Sequence, residues 1–170
     1  MAHSQSHNAS LEAQVKLLNR MYSERSAQDI LKHALSEQFA GEIALVSSFG
    51  ADSSVLLHMV SQIDPRTPVL FVDTGKLFGE TKRYRDELIE KLGLLDVRTL
   101  KPEPEDLAKQ DPKGSLWATN PDACCHIRKV LPLAKGLNGF EAWISGRKRH
   151  QASTRASLEH FEVEEGRIKV

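Results

Sequence analysis

The chain has 170 residues, 40% of them hydrophobic, with 23 lysines and arginines against 23 aspartates and glutamates. That length suits one domain with a real core, and the balanced charge provides no global field to draw the protein onto nucleic acid or an anionic membrane. Any anion site must be local. The opening Met1 to Asn8 holds no apolar stretch of signal-peptide length, and no later segment approaches the run of roughly 20 apolar residues that spans a bilayer. The expectation is a cytoplasmic protein with neither a membrane nor a nucleic-acid partner.

In chain order, Leu11, Val15, Leu18, Ile30, Leu31, Ala34 and Leu35 recur at helical spacing around a break near Ser23 to Ser26. They predict two amphipathic helices, the second capped by Ser26 with Asp29 in its first turn. Residues 1–39 thus read as a helical segment and residues 40–170 as an α/β domain. Ile43 to Ser48 is a short apolar run that gives way at Phe49-Gly50-Ala51-Asp52-Ser53 to a helical pattern through Val60. Val69 to Val72 is a second run, ending at Asp73-Thr74-Gly75 before a charged helix from about Glu80 to Leu92. Val97 to Leu100 reads as a third strand, and Pro102 to Pro121 as a loop with one short helix from Glu105 to Gln110. Asp122 to Lys135 looks helical. Ala142 to Ser145 is a fourth strand, and Phe161 to Val170 alternates around Glu165-Gly166 as a hairpin does. Short apolar runs alternating with helices imply a parallel sheet with helices on both faces, and ligands on such sheets sit beyond the carboxyl ends of the strands.

Three segments carry candidate chemistry. In the first, Ser47, Ser48, Gly50, Asp52 and Ser53 form a strand-to-helix loop whose amides and hydroxyls can hold an oxyanion. A plain turn capped by Asp52 or Ser53 is the alternative. The loop lacks both the three spaced glycines of dinucleotide sites and the terminal lysine of the Walker pattern. In the second, Cys124 and Cys125 are adjacent and are the two cysteines of the chain. They follow Asn120-Pro121-Asp122 at an expected helix start, with His126, Arg128 and Lys129 beside them. A helix dipole and neighbouring cations favour thiolates, and soft sulfur ligands suit iron–sulfur clusters or zinc. An ordinary buried pair and a redox site remain open. In the third, Gly146, Arg147, Arg149 and Arg155 belong to a basic segment after the fourth strand, where arginine forks could bind phosphate or sulfate oxygens; a solvated basic loop is the alternative. The lone histidines His33, His58 and His160 read as surface or satisfied core residues, whereas His126 and His150 sit inside the suspect segments.

The Ser47–Ser53 loop resembles that of the nucleotide α-hydrolase superfamily, with Phe49 in place of one glycine. Four blocks in order resemble the sulfonucleotide reductase family: Ser47–Ser53, Val72–Thr81, Leu116–Val130 and Trp143–Ala156. That resemblance implies an adenine nucleotide α-hydrolase-like (Rossmann-like) fold that reduces adenylyl sulfate, or its 3′-phosphorylated form, to sulfite. It implies that Cys124 and Cys125 supply half the ligands of a 4Fe-4S cluster, with Lys129 near both cluster and substrate. The Ser47–Ser53 loop, Asp73, Thr74, Gly75 and the Gly146–Arg155 segment would bind the nucleotide and its sulfate. The cysteine pair favours adenylyl sulfate within the family. In the family, a cysteine in a Glu-Cys-Gly-Leu-His tail attacks the sulfur, and thioredoxin or glutaredoxin releases sulfite. That tail and a later Cys-x-x-Cys pair are not in these 170 residues, so we expect a C-terminally truncated member without its own nucleophile. An ATP pyrophosphatase-type adenylating enzyme and a purely nucleotide-binding fragment are the competing readings.

Overall fold

The computed structural model describes residues 2–146 and 158–170. Its centre is a six-stranded sheet. The strands are β1 (Ile43–Val46), β2 (Val69–Val72), β3 (Val97–Leu100), β4 (Ala142–Ser145), β5 (Glu162–Glu164) and β6 (Arg167–Lys169), in spatial order β3-β2-β1-β4-β6-β5. All neighbours run parallel except β5, which pairs antiparallel with β6 through the expected hairpin. Glu165 and Gly166 both take positive φ, 51° and 75°, in its two-residue turn.

Period-two alternation sends each strand's side chains into two cores. Ile43 and Leu45 of β1, Val69 and Phe71 of β2, and Ala142 and Ile144 of β4 face the larger one. Helices α1 (Ala2–Tyr22) and α2 (Ala27–His33) add Val15, Leu18, Ile30 and Leu31 to it, α3 (Ser53–Ile63) adds Leu57 and Val60, and α4 (Gly79–Leu92) adds Leu88. Ala44, Leu70 and Trp143 face the other side and are covered by Leu133 of α8 (Leu131–Gly136) and by Leu137. Full burial of a leucine, isoleucine or phenylalanine stabilises by about 1.5–3 kcal/mol relative to exposure, so these two faces fix the register of every strand.

Several boundaries depart from expectation. Helix α1 begins at Ala2, well before Leu11, because a helix already anchored through Val15 and Leu18 can extend through polar residues that have no face to bury. Ser26 caps α2 as expected, accepting from the Asp29 amide at 3.2 Å. The Pro102–Pro121 segment holds α5 (Pro104–Gln110) and also an unexpected single turn, α6 (Leu116–Thr119). The helical run after Asn120 is not uniform: α7 (Pro121–Cys125) passes into a π-helical turn, His126–Val130, before α8. Pro132 lies inside this run and has no N–H for the carbonyl of Arg128, so the ladder shifts and Leu131 bonds back to His126 instead. No described helix is long and apolar enough to cross a membrane.

Candidate active site at the carboxyl ends of the strands

Strand order reverses between β1 and β4, whose carboxyl ends lie side by side because Val46 pairs with Ser145. In the β1 loop, Ser47 and Phe49 point inward while Ser48, Gly50, Ala51 and Asp52 are exposed. The Phe49 amide donates to Ser47 Oγ at 3.1 Å, and the Ser53 amide to the Gly50 carbonyl at 2.9 Å. Asp52 sits at the cap position of α3 but makes no side-chain capping bond. Phe49 has φ of 53°, a left-handed conformation that glycine adopts without strain, and its ring is buried edge-to-face on Phe71 with centroids 5.5 Å apart. Gly146 leaves β4 so close to α3 that an added Cβ would lie 3.3 Å from Leu56. Arg147, Arg149 and Arg155 lie outside the described residues.

The β2 turn is pinned from several sides. Asp73 is buried, accepts from the Gly75 amide at 3.0 Å, and pairs with Lys82 of α4 at 2.9 Å. Burial pushes its carboxyl up, but the Lys82 hydrogen bond, the Gly75 amide and the charges of Lys82 and Lys101 outweigh that and hold it below the ordinary carboxylate value. Thr74 is buried, its hydroxyl accepting from the Lys76 amide at 3.2 Å, and Gly75 takes φ of 75°.

A cleft of about 600 Å³ opens between this turn and α7. Thr74, Lys76, Cys124, Cys125, Arg128 and Lys129 line it, with Phe78 and Trp117 among its apolar walls. Cys125 is exposed and Cys124 half-buried, which removes the buried-pair alternative. The thiols are not in the first turn of their helix; they are the last two residues of α7, because Pro121 starts it and the Asn120 side chain caps it. The cleft gathers three cations and no carboxylate in its lining, so it suits an anion. Lys129 is exposed and makes no ion pair among the described residues.

The residues that hold the cleft together carry no mark of that task in the sequence. Arg128 is buried and donates to the Thr74 carbonyl and to Asp111 Oδ2, each at 2.7 Å. The Arg128 hydrogen bond first, and then the Leu116 amide, hold the Asp111 carboxyl below its ordinary value. Lys76 reaches the Gly114 carbonyl at 2.9 Å. An arginine beside a cysteine pair looks like a pKa tuner in sequence; that it faces a distant aspartate is tertiary information. As donors for a cluster, two accessible thiols fit the sulfur chemistry. Among the described residues no group of three or more histidine, cysteine or acidic side chains converges on one point.

A mostly parallel sheet with helices on both faces, with polar loops gathered at a strand-order reversal, defines an adenine nucleotide α-hydrolase-like domain. A crystal structure of phosphoadenylyl-sulfate reductase from Candida auris, in a phosphate complex, is similar to it with a TM-score of 0.75 and 28% identity, covering 92% of this chain and 76% of that one. Residues 42–170 match the phosphoadenosine phosphosulfate reductase domain, and the chain belongs to that family. It is 51% identical to an adenosine 5′-phosphosulfate reductase of Mesorhizobium japonicum and 45% identical to one of Chelativorans sp.. These matches cover 90% and 94% of this chain, and the chain spans 60% and 66% of those relatives.

Proposed function

We propose that this chain supplies the nucleotide site and half the cluster ligands of an adenylyl-sulfate reductase of assimilatory sulfate reduction. The observation that carries the reading is the shared cleft: the Thr74 turn, the cations Arg128 and Lys129, and the thiols Cys124 and Cys125 line one cavity beyond the strand ends. The exposed part of the Ser47–Ser53 loop takes the nucleotide, with Ser48, Gly50, Asp52 and the start of α3 as its polar edge. Gly146 and the arginines at 147, 149 and 155 complete the anion site, and Asp73, Thr74 and Gly75 hold the sulfate end near Lys129. When bound at Cys124, Cys125 and two further thiolates, a 4Fe-4S cluster supplies charge that helps orient the sulfate. Lys129 directs the sulfate oxygens, and the apolar walls limit water.

The reaction needs a thiolate from outside these two cysteines. It attacks the sulfur of adenylyl sulfate, the S–O bond to the nucleotide breaks, and AMP leaves, with Cys–S–SO₃⁻ remaining. A dithiol of the thioredoxin or glutaredoxin type then supplies two electrons, releasing sulfite and becoming a disulfide. The protein acts in the cytoplasm, where such dithiols stay reduced.

The 3′-phosphorylated nucleotide is the second substrate reading, since a relative in Alkalilimnicola ehrlichii, 36% identical, is named phosphoadenosine 5′-phosphosulfate reductase. Calorimetric titration of the 170-residue chain tests both. Adenylyl sulfate should bind saturably, more tightly than ATP or the 3′-phosphorylated form, and without release of sulfite. Absence of adenylyl-sulfate binding, or pyrophosphate release from ATP, would overturn the proposal.

A further inference from the structure

Three elements meet at one guanidinium. Arg128 belongs to the π-helical turn that directly follows the cysteine pair, and its side chain is buried. One Nη reaches the Thr74 carbonyl in the nucleotide turn, and the other reaches Asp111. The second oxygen of Asp111 accepts the Leu116 amide at 3.0 Å, at the start of the turn that carries Trp117. The fork is planar, so one bond ties the cysteine helix to the Thr74 turn while the other, at a fixed angle to it, ties the helix to Asp111.

Stability alone is a poor account of this arrangement. Arg128 Nε is buried without a hydrogen-bond partner. Apolar replacement of both members of a buried ion pair is often neutral or stabilising, so such pairs are weak evidence of a stabilising role. We propose that Arg128 is a positioning residue that couples the Cys124–Cys125 helix to the Asp73-Thr74-Gly75 turn, so that nucleotide held at the turn is felt at the thiols. One arm of its test rests on the nucleotide reading above; the other does not.

The experiment measures alkylation of Cys124 and Cys125 by iodoacetamide, site by site by mass spectrometry, with and without saturating adenylyl sulfate. The variants are Arg128→Lys, which keeps the charge and loses the fork, and the double variant Arg128→Met with Asp111→Leu, which removes both charges together and leaves neither buried unpaired. Leu88→Ala, in α4 and away from the cleft, controls for general loosening. In the native chain, nucleotide should slow alkylation of both thiols. In both Arg128 variants the half-buried Cys124 should react about fivefold faster or more without nucleotide, as expected of a locally released helix. Protection should be lost even at saturation, while the double variant still unfolds in one cooperative transition. Leu88→Ala should keep native rates and full protection.

Native rates and full protection in a well-folded double variant would reduce Arg128 to a structural residue and overturn the proposal. If nucleotide protects no form of the chain, the nucleotide reading fails. The nucleotide-free rates then still decide the coupling: a selective rise at Cys124 supports the tie, and unchanged rates overturn it.

Discussion

Phe49 offers a sharp test of how the nucleotide loop is built. Its side chain is 1% exposed, its ring packs edge-to-face on Phe71 at 5.5 Å, and its backbone is left-handed at φ of 53°. Removing a buried phenylalanine ring costs about 3–5 kcal/mol through lost transfer energy and the cavity left behind, so Phe49→Ala should destabilise by that amount. At most positions the glycine variant would be worse still. Here the Cβ itself is strained, by about 1–2 kcal/mol in the left-handed region. Glycine relieves that strain and gives back about 0.4–1 kcal/mol through the greater freedom of its unfolded chain. Phe49→Gly should therefore be as stable as Phe49→Ala, or up to about 1.6 kcal/mol more stable, an inversion of the usual order. Urea unfolding of the three proteins with comparable slopes measures this. An alanine variant clearly more stable than the glycine variant would show that the left-handed backbone does not govern this position.

Further expectations concern charge and metal. Because the folded-state pKa of Asp73 is depressed, its contribution is present above the ordinary value of 3.8 and lost as pH falls through the folded value. Lys82→Met raises that folded pKa, so the variant should be less stable than the native chain at neutral pH, and the gap should close in acid; urea midpoints across this range check it. Arg147→Ala or Arg155→Ala should weaken adenylyl-sulfate binding roughly 10- to 150-fold, the value of one charge-assisted contact to a buried anion. Unchanged dissociation constants for both would remove them from the site. The 170-residue chain should purify nearly free of iron and take up iron with sulfide only when a small thiol completes the ligand set. Cys124→Ser or Cys125→Ser should abolish that uptake, and stoichiometric iron on the serine variants would contradict the ligand assignment.

The sheet was legible because short continuous apolar runs such as Val69–Val72 and Ala142–Ser145 must bury both faces, and glycine marked the turns after β2 and within the hairpin. The π-helical turn and α6 were not legible. Both depend on hydrogen bonds five residues apart that apolar periodicity does not mark: Leu131 to His126 around a proline, and Leu116 to Asp111. In the candidate site, Thr74 and the cysteines could be named singly, from a strand end and from thiol chemistry. Their convergence depends on Arg128, whose partners lie 54 and 17 residues away. Lys82 was equally silent, since a lysine on a charged helix carries no mark that it faces Asp73.

Amide chemical-shift mapping of the 170-residue chain during titration with adenylyl sulfate tests most directly whether the strand-end loops and the cysteine cleft form one sulfonucleotide site. Saturable shifts should concentrate in Ser47–Ser53, Asp73–Gly75 and Cys124–Lys129, all fitting a single dissociation constant. Shifts confined to another surface, such as the groove between α1 and β5 lined by Lys16, Asn19 and Phe161, would contradict it.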